Sequence, residues 1–148
     1  MSRASEVTRE ATLHVRDHCL CLHAQRAGRA LARRFDEAFR PLGLTSGQFS
    51  LMMSLNRPDA PTMGAVAVFL AMDRTTLTAA VKPLARRGLI EVTVDEKDRR
   101  TRRMRLTPAG QILLASAVPV WRHTHEVVDR LLAEGNSERL RRDLQALS

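Results

Sequence analysis

Between Val7 and Arg40 apolar residues return every three or four positions, at Leu13, Leu20, Ala24, Ala27, Leu31, Phe35 and Ala38, and no proline interrupts them. That spacing keeps one stripe of a helix apolar and predicts a single long amphipathic helix over about 7–40, stopped by Pro41 and Gly43. Thr45 to Gln48 then reads T-S-G-Q, the form in which a threonine hydroxyl caps a helix and a glutamine reaches back to the cap. The apolar run behind it predicts a second helix to about Asn56.

The segment N-R-P-D-A-P is a turn, and Thr62 is placed to cap a short helix through M-G-A-V-A-V-F-L, ending near Ala71. After a brief turn, Asp73 caps a further helix that closes at Arg86, Arg87 and Gly88. Pro83 lies inside it, so a kink or loosened turn is expected over 79–83. The period then changes: residues 89–94, L-I-E-V-T-V, and 103–106, R-M-R-L, have the composition and alternation of strands around a charged loop, D-E-K-D-R-R-T-R. Thr107-Pro108 opens another helix, running to about Glu134 past Pro119, and Gly135 and Asn136 separate it from a last one in S-E-R-L-R-R-D-L-Q-A-L. No internal repeat is visible.

The order of helix, turn, helix and hairpin is that of a winged helix-turn-helix. The fold class is therefore mainly α with a small β-hairpin wing. Residues 45–107 form the winged region, flanked by N- and C-terminal helical regions, 1–42 and 108–148. Those outer helices carry more apolar surface than one winged domain needs for its core, which points to a partner.

Composition narrows the class. The 148 residues are 44% apolar and 27% charged, and the net charge is +8, carried almost wholly by arginine since Lys82 and Lys97 are the only lysines. Arginine presents a planar fork of donors suited to phosphates and base edges, so the excess points to nucleic acid. No stretch approaches the roughly 18 apolar residues of a membrane span, and M-S-R-A-S-E-V-T-R-E lacks the core of a signal peptide; the expected location is the cytoplasm. There is no phosphate-cradling glycine loop, no H-E-x-x-H and no G-x-S-x-G. Neither an enzymatic activity nor a cofactor is expected.

On a helical wheel of the 73–87 helix, Leu77, Val81 and Leu84 fall on one side and Arg74, Thr75, Thr78 and Lys82 on the other. A small, polar, basic face suits the major groove, where threonine offers a hydroxyl to base edges or phosphate and a methyl to thymine. The wing gathers Lys97, Arg99, Arg100, Arg102 and Arg103 at its tip and descending edge, a ribbon that a narrow minor groove admits. Asp98 would repel DNA unless occupied, and its expected task is to hold the Arg100 guanidinium for insertion.

At these residues the chain resembles the MarR family of winged helix-turn-helix transcriptional regulators. The likeness covers nearly the whole chain and rests on L-G-L-T-S-G-Q-F-S-L-M-M-S-L, on M-D-R-T-T-L-T-A-A-V-K-P-L-A-R-R-G-L-I-E-V and on D-E-K-D-R-R-T-R-R-M-R-L-T-P-A-G. The family's D-x-R wing signature falls on Asp98 and Arg100, with Arg99 and Arg102 beside it, and its recognition-helix contacts fall on Asp73, Arg74, Thr75, Thr76, Thr78 and Lys82. Ala79 and Ala80 stand where many relatives carry a polar residue. The resemblance implies a homodimer, with 1–42 and 108–148 as its helical dimerisation region, on a pseudo-palindromic double-stranded DNA operator, acting as a repressor. It also implies release by a small effector, in many relatives aromatic or phenolic, bound between the dimerisation helices and the winged region. Here that would involve His14, Cys21, Phe49, Met52 and Met53.

Both cysteines lie in H-C-L-C-L-H, residues 18–23. At about 100° per residue, His14, His18 and Cys21 share one flank of a helix while Cys19 and His23 share another. The spaced pairs of a structural zinc site are missing; no metal site is expected, and a metal-responsive role is the weakest alternative. On a regular helix the two-residue step also turns Cys19 away from Cys21 and excludes a local disulfide. The stronger alternative is a thiol-based oxidative-stress sensor. The hydroperoxide-sensing branch of the family has a reactive cysteine where Leu20-Cys21-Leu22 lies, though the tyrosines that activate it there have no counterpart in this tyrosine-free chain.

Overall fold

The structure, a computed structural model, describes residues 6–133 and 136–148. The helices are α1 (Arg9–His18), α2 (Leu20–Phe39), α3 (Ser46–Ser54), α4 (Met63–Phe69), α5 (Arg74–Arg86), α6 (Pro108–Leu131) and α7 (Ser137–Ala146), and the strands are β1 (Ile90–Val94) and β2 (Arg102–Leu106). The single N-terminal helix expected from periodicity is two. Cys19, at φ −73° and ψ 106°, is extended: its N–H closes α1 on Val15 O at 2.9 Å, and its Sγ accepts the Leu22 N–H at 3.4 Å to open α2. His18 Nδ1 lies 2.8 Å from His14 O and His23 Nδ1 2.8 Å from Cys19 O. Side chains that bond the nearby backbone offer it an alternative to continuing the helix, and apolar spacing carries no trace of that competition.

The remaining elements form where their local signals lie. Phe39 leads into a 3₁₀ turn, Arg40–Leu42, and Gly43 takes the left-handed conformation at φ 66°. Both bonds of the Thr45/Gln48 capping box are made, and Thr62 caps α4 through the Ala65 N–H. The α5 helix is assigned without interruption through Pro83, so the expected loosening at 79–83 does not break it. Ala79, whose carbonyl Pro83 cannot serve, is on the exposed side, where solvent can take the bond. Thr107 caps α6, which ends at Leu131 rather than near Glu134; Glu134 and Gly135 lie outside the described residues. Asn136 caps α7 through the Arg139 N–H at 3.0 Å.

The core lies where the second half of α2, α3, α4, α5, the hairpin and the first half of α6 meet. Phe39, Leu51, Met52, Leu77, Leu84 and Met104 are its largest fully buried members, with Phe39 stacked on Phe49 at 4.7 Å. The strands pair antiparallel from Ile90↔Leu106 to Val94↔Arg102. Residues 61–62 extend this small sheet through a Thr62↔Arg103 bridge and the Met104 N–H to Pro61 O at 3.0 Å. By contrast α1 and α7 bury no residue, and Val15, Leu20, Ile112, Leu131, Leu140, Leu144 and Leu147 remain exposed. Among the described residues, no single helix is long and apolar enough to cross a membrane.

Candidate nucleic-acid interface

Helices α4 and α5 meet at 106°, within the range of a helix-turn-helix. The bend is made at Ala71, which adopts φ 52°, and by the Met72 N–H bonding back to Ala67 O at 2.9 Å. Burying Leu77, Val81 and Leu84 turns the opposite face of α5 outward, leaving Arg74, Thr75, Thr76, Thr78, Ala79 and Lys82 exposed. The far end of α5 is held by Arg87, whose Nη1 donates to Gly43 O at 2.7 Å.

The exposed residues of α5 divide by what their polar atoms already do. Asp73 Oδ1 accepts the Thr76 N–H at 2.7 Å and Oδ2 the Thr76 hydroxyl at 3.0 Å. Those two bonds, backbone first, hold the Asp73 carboxyl below the usual carboxylate range. Asp73 and Thr76 therefore build the helix start, and their groups face each other. The Thr78 hydroxyl donates to Arg74 O at 2.8 Å, so on this exposed residue the hydroxyl oxygen can still accept a bond. Among the described residues, neither Arg74 nor Lys82 enters an ion pair.

In the wing the carboxylates do something other than expected. Asp98 does not grip the Arg100 guanidinium: Oδ1 accepts the Arg100 backbone N–H at 3.0 Å, Oδ2 the Thr101 hydroxyl at 3.1 Å, and the Asp98 carbonyl the Thr101 N–H at 2.9 Å. A short acidic side chain in a turn reaches the amide two residues on more readily than the end of a long side chain. Lys97, Arg99 and Arg100 are exposed and outside the ion pairs of the described residues, while Arg102 Nη1 donates to Arg99 O at 2.9 Å. Arg103 lies on the descending edge, in β2 opposite Thr93 near the loop end, but its guanidinium is already engaged. Its Nε bonds Asp95 Oδ1 at 2.7 Å and its Nη1 bonds Ala60 O at 2.8 Å. That pairing depresses the Asp95 carboxyl. Neither the Arg103 nor the Arg87 tether is visible in sequence, because each closes on a carbonyl more than forty residues away and a carbonyl has no residue signature.

The five residues expected near an effector are dispersed. Phe49 and Met52 belong to the core, whereas Met53 lines a groove of about 270 Å³ between α3 and α4 with Arg57, Val66 and Phe69. His14 stacks on His18 at 4.2 Å over a surface concavity of α1. Cys21 is exposed on α2, with the Gln25 amide 3.4 Å from its Sγ. Among the described residues no three His, Cys, Asp or Glu side chains gather as metal ligands would. Since Cys19 is extended, the step from Cys19 to Cys21 is not a helical one, and the exclusion of a local disulfide that assumed a regular helix does not hold.

Comparison with known proteins agrees with this geometry. A model of the MarR family matches residues 44–101, from the start of α3 through the wing loop. The M. tuberculosis transcriptional regulator MosR, solved in complex with DNA, is 36% identical with a TM-score of 0.80, over 88% of this chain and 93% of that one. The transcriptional repressor CouR, bound to a 23-mer DNA duplex, is 26% identical with a TM-score of 0.79, over 97% of this chain and 99% of that one; CouR is a Rhodococcus jostii protein. BadR, a transcriptional activatory protein of Rhodopseudomonas palustris, is 33% identical over 72 residues, which is 47% of this chain and 41% of BadR. A winged helix-turn-helix with this capped α5, this wing loop and relatives along nearly its full length assigns the chain to the MarR family of transcriptional regulators.

Proposed function

We propose that the protein binds a pseudo-palindromic double-stranded DNA operator as a homodimer and acts as a repressor. In this reading 45–107 is the DNA-binding unit, with the two α5 helices in successive major grooves and the Arg100 guanidinium in the flanking minor groove. Residues 1–42 and 108–148 form the dimerisation region. One observation carries the reading: the wing tip has a tightly bonded backbone and cationic ends outside the ion pairs of the described residues, in the same winged region as the exposed Arg74–Thr75–Thr78–Lys82 face. Asp73, Thr76 and Asp98 serve by shaping these contacts, Arg99 and Arg102 by adding charge. Exposed leucines along α7 and the unburied α1 support a partner of the same kind. CouR, a repressor related over nearly the full chain, supports that direction more than BadR, which is matched over less than half its length.

The decisive experiment selects bound duplexes from a random pool and measures affinity for the enriched sequence with wild type and Arg100→Ala. The loss expected is about 1–3 kcal/mol, the range for a discriminating contact, with the dimer intact by sedimentation. Unchanged affinity would overturn the wing assignment.

Release by a small effector is the first reading of regulation, with Met53 lining the groove between α3 and α4 and His14 the concavity on α1. Thiol sensing is the second, favoured by the exposure of Cys21 beside a helix break. Treatment with an organic hydroperoxide separates them. Release from DNA by wild type but not by Cys21→Ser supports the thiol, and equal behaviour removes it.

A further inference from the structure

We infer that Arg103 is a positioning residue of the wing: with Asp95 it clamps the hairpin to the segment entering α4 and so fixes where Arg100 is presented relative to α5. The inference rests on the reading that Arg100 meets DNA, and it concerns residues outside the D-x-R signature. The guanidinium of Arg103 joins three segments. Its stem is on β2, opposite Thr93 and bridged on the other edge to Thr62, the cap of α4. Nε reaches Asp95 at the end of β1, and Nη1 reaches Ala60 ahead of α4.

The chain of bonds continues to the tip. The second Asp95 oxygen accepts the Asp98 N–H at 3.1 Å, the Asp95 N–H donates to Thr101 O at 3.0 Å, and Asp98 in turn holds the Arg100 N–H. Each link between Ala60 and the Arg100 backbone is thus a hydrogen bond of ordinary length. Asp95 is mostly covered, with its side chain 18% exposed, and Arg103 is half-covered at 39%, so the pair lies inward at the loop end of the hairpin and is not free on its outer edge. The need for a fork explains the residue type, since a guanidinium serves two acceptors in its plane where an ammonium is a single point charge.

The test measures affinity for the selected duplex with Arg103→Met, Arg103→Lys and Asp95→Ala, each with Arg100 present and with Arg100→Ala. Thermal unfolding and sedimentation confirm a folded dimer, and Arg103→Lys and Asp95→Ala carry the test if Arg103→Met loses the fold. With Arg100 present each change is expected to weaken binding about tenfold, and less than about twofold once Arg100 is gone, as for residues that act as one unit. Removing Asp95 also deletes a negative charge beside the DNA, which by Coulomb attraction alone would tighten binding; tighter binding by Asp95→Ala would overturn the clamp. So would full retention of affinity by Arg103→Lys, the mark of a direct phosphate contact, or equal losses in both Arg100 backgrounds. If Arg100→Ala alone costs nothing, the wing reading fails and the clamp's purpose with it. If Arg100→Ala costs and Arg103→Met is indifferent to it, only the clamp fails.

Discussion

Gly110, in the first turn of α6, offers a test in which two simple rules disagree on the sign. Inside a helix, glycine to alanine is ordinarily stabilising by about 1 kcal/mol. Here an added Cβ would lie 2.1 Å from Leu89 O, 3.1 Å from Leu89 C and 3.4 Å from Leu106 Cδ2. The neighbour is backbone at the root of the hairpin and cannot rotate aside, so the start of α6 must retreat by about 1 Å to restore a contact distance. That movement carries Thr107 N from 3.1 Å past the limit of about 3.5 Å for a useful bond to Leu89 O. It also strains the Thr107 hydroxyl bond to Gly88 O. Two bonds at about 1 kcal/mol each and an overpacking cost of about 1–3 kcal/mol outweigh the propensity gain. The net loss is about 2–4 kcal/mol, a large share of a typical stability of about 5–15 kcal/mol. Urea unfolding at fixed protein concentration measures it. Gly28→Ala, at a position in α2 with nothing within 4 Å of the new atom, should gain up to about 1 kcal/mol. If Gly110→Ala also gains, the close packing of α6 on the hairpin is not what holds the wing's root.

Two further outcomes follow from the caps. Because the folded state lowers the Asp73 carboxyl pKa, its stabilisation is complete above the unfolded carboxylate pKa of about 3.9 and is lost as pH falls through the lowered folded value. The gap in thermal midpoint between wild type and Asp73→Asn should be constant above about pH 5 and close below it; a gap independent of pH from 2 to 6 would contradict the charged cap. At the helix break, Cys19→Ala removes the acceptor of the Leu22 N–H and favours one helix, whereas Cys19→Ser keeps a cap. In a Cys21→Ser background diluted with unlabelled protein, spin labels at positions 9 and 29 should move apart in the alanine variant towards the roughly 30 Å of a straight twenty-residue helix, and equal distances in the two variants would refute the role of Cys19.

What the sequence disclosed was whatever a short window contains. The Thr45/Gln48 box, the Asp73 and Thr107 caps, the inward Leu77–Val81–Leu84 stripe and the two strands are all signals within about seven residues, and each element stands where its signal lies. Two misreadings in the same chain share one cause. Periodicity averaged over Val7–Arg40 could not register that a thiol and two imidazoles bond the backbone around Cys19. Counting charges in 95–103 could not tell that Arg103 closes on Ala60. Both depend on which atom a polar side chain selects, and residue type alone leaves that choice open.

If Arg100 meets DNA as proposed, the same choice of partner decides how the wing works. Had Asp98 gripped the Arg100 guanidinium, binding DNA would first require breaking a charge-assisted bond or carrying an acidic group into the groove. With Asp98 spent on the Arg100 and Thr101 backbone and loop hydroxyl instead, the Cα of Arg100 is held while its cation is left for an outside acceptor. Binding then costs the ordering of one side chain rather than of a loop. Arginine rotamer freedom is of the order of 2 kcal/mol, against about 1–2 kcal/mol for the backbone of every residue that a mobile loop would have to fix. A loop of several residues ordered only on contact would forfeit most of what a single minor-groove arginine gains. On the proposed reading of the wing, its acidic residues thus favour DNA binding while repelling DNA, because the repulsion acts through solvent and the preorganisation acts through direct bonds.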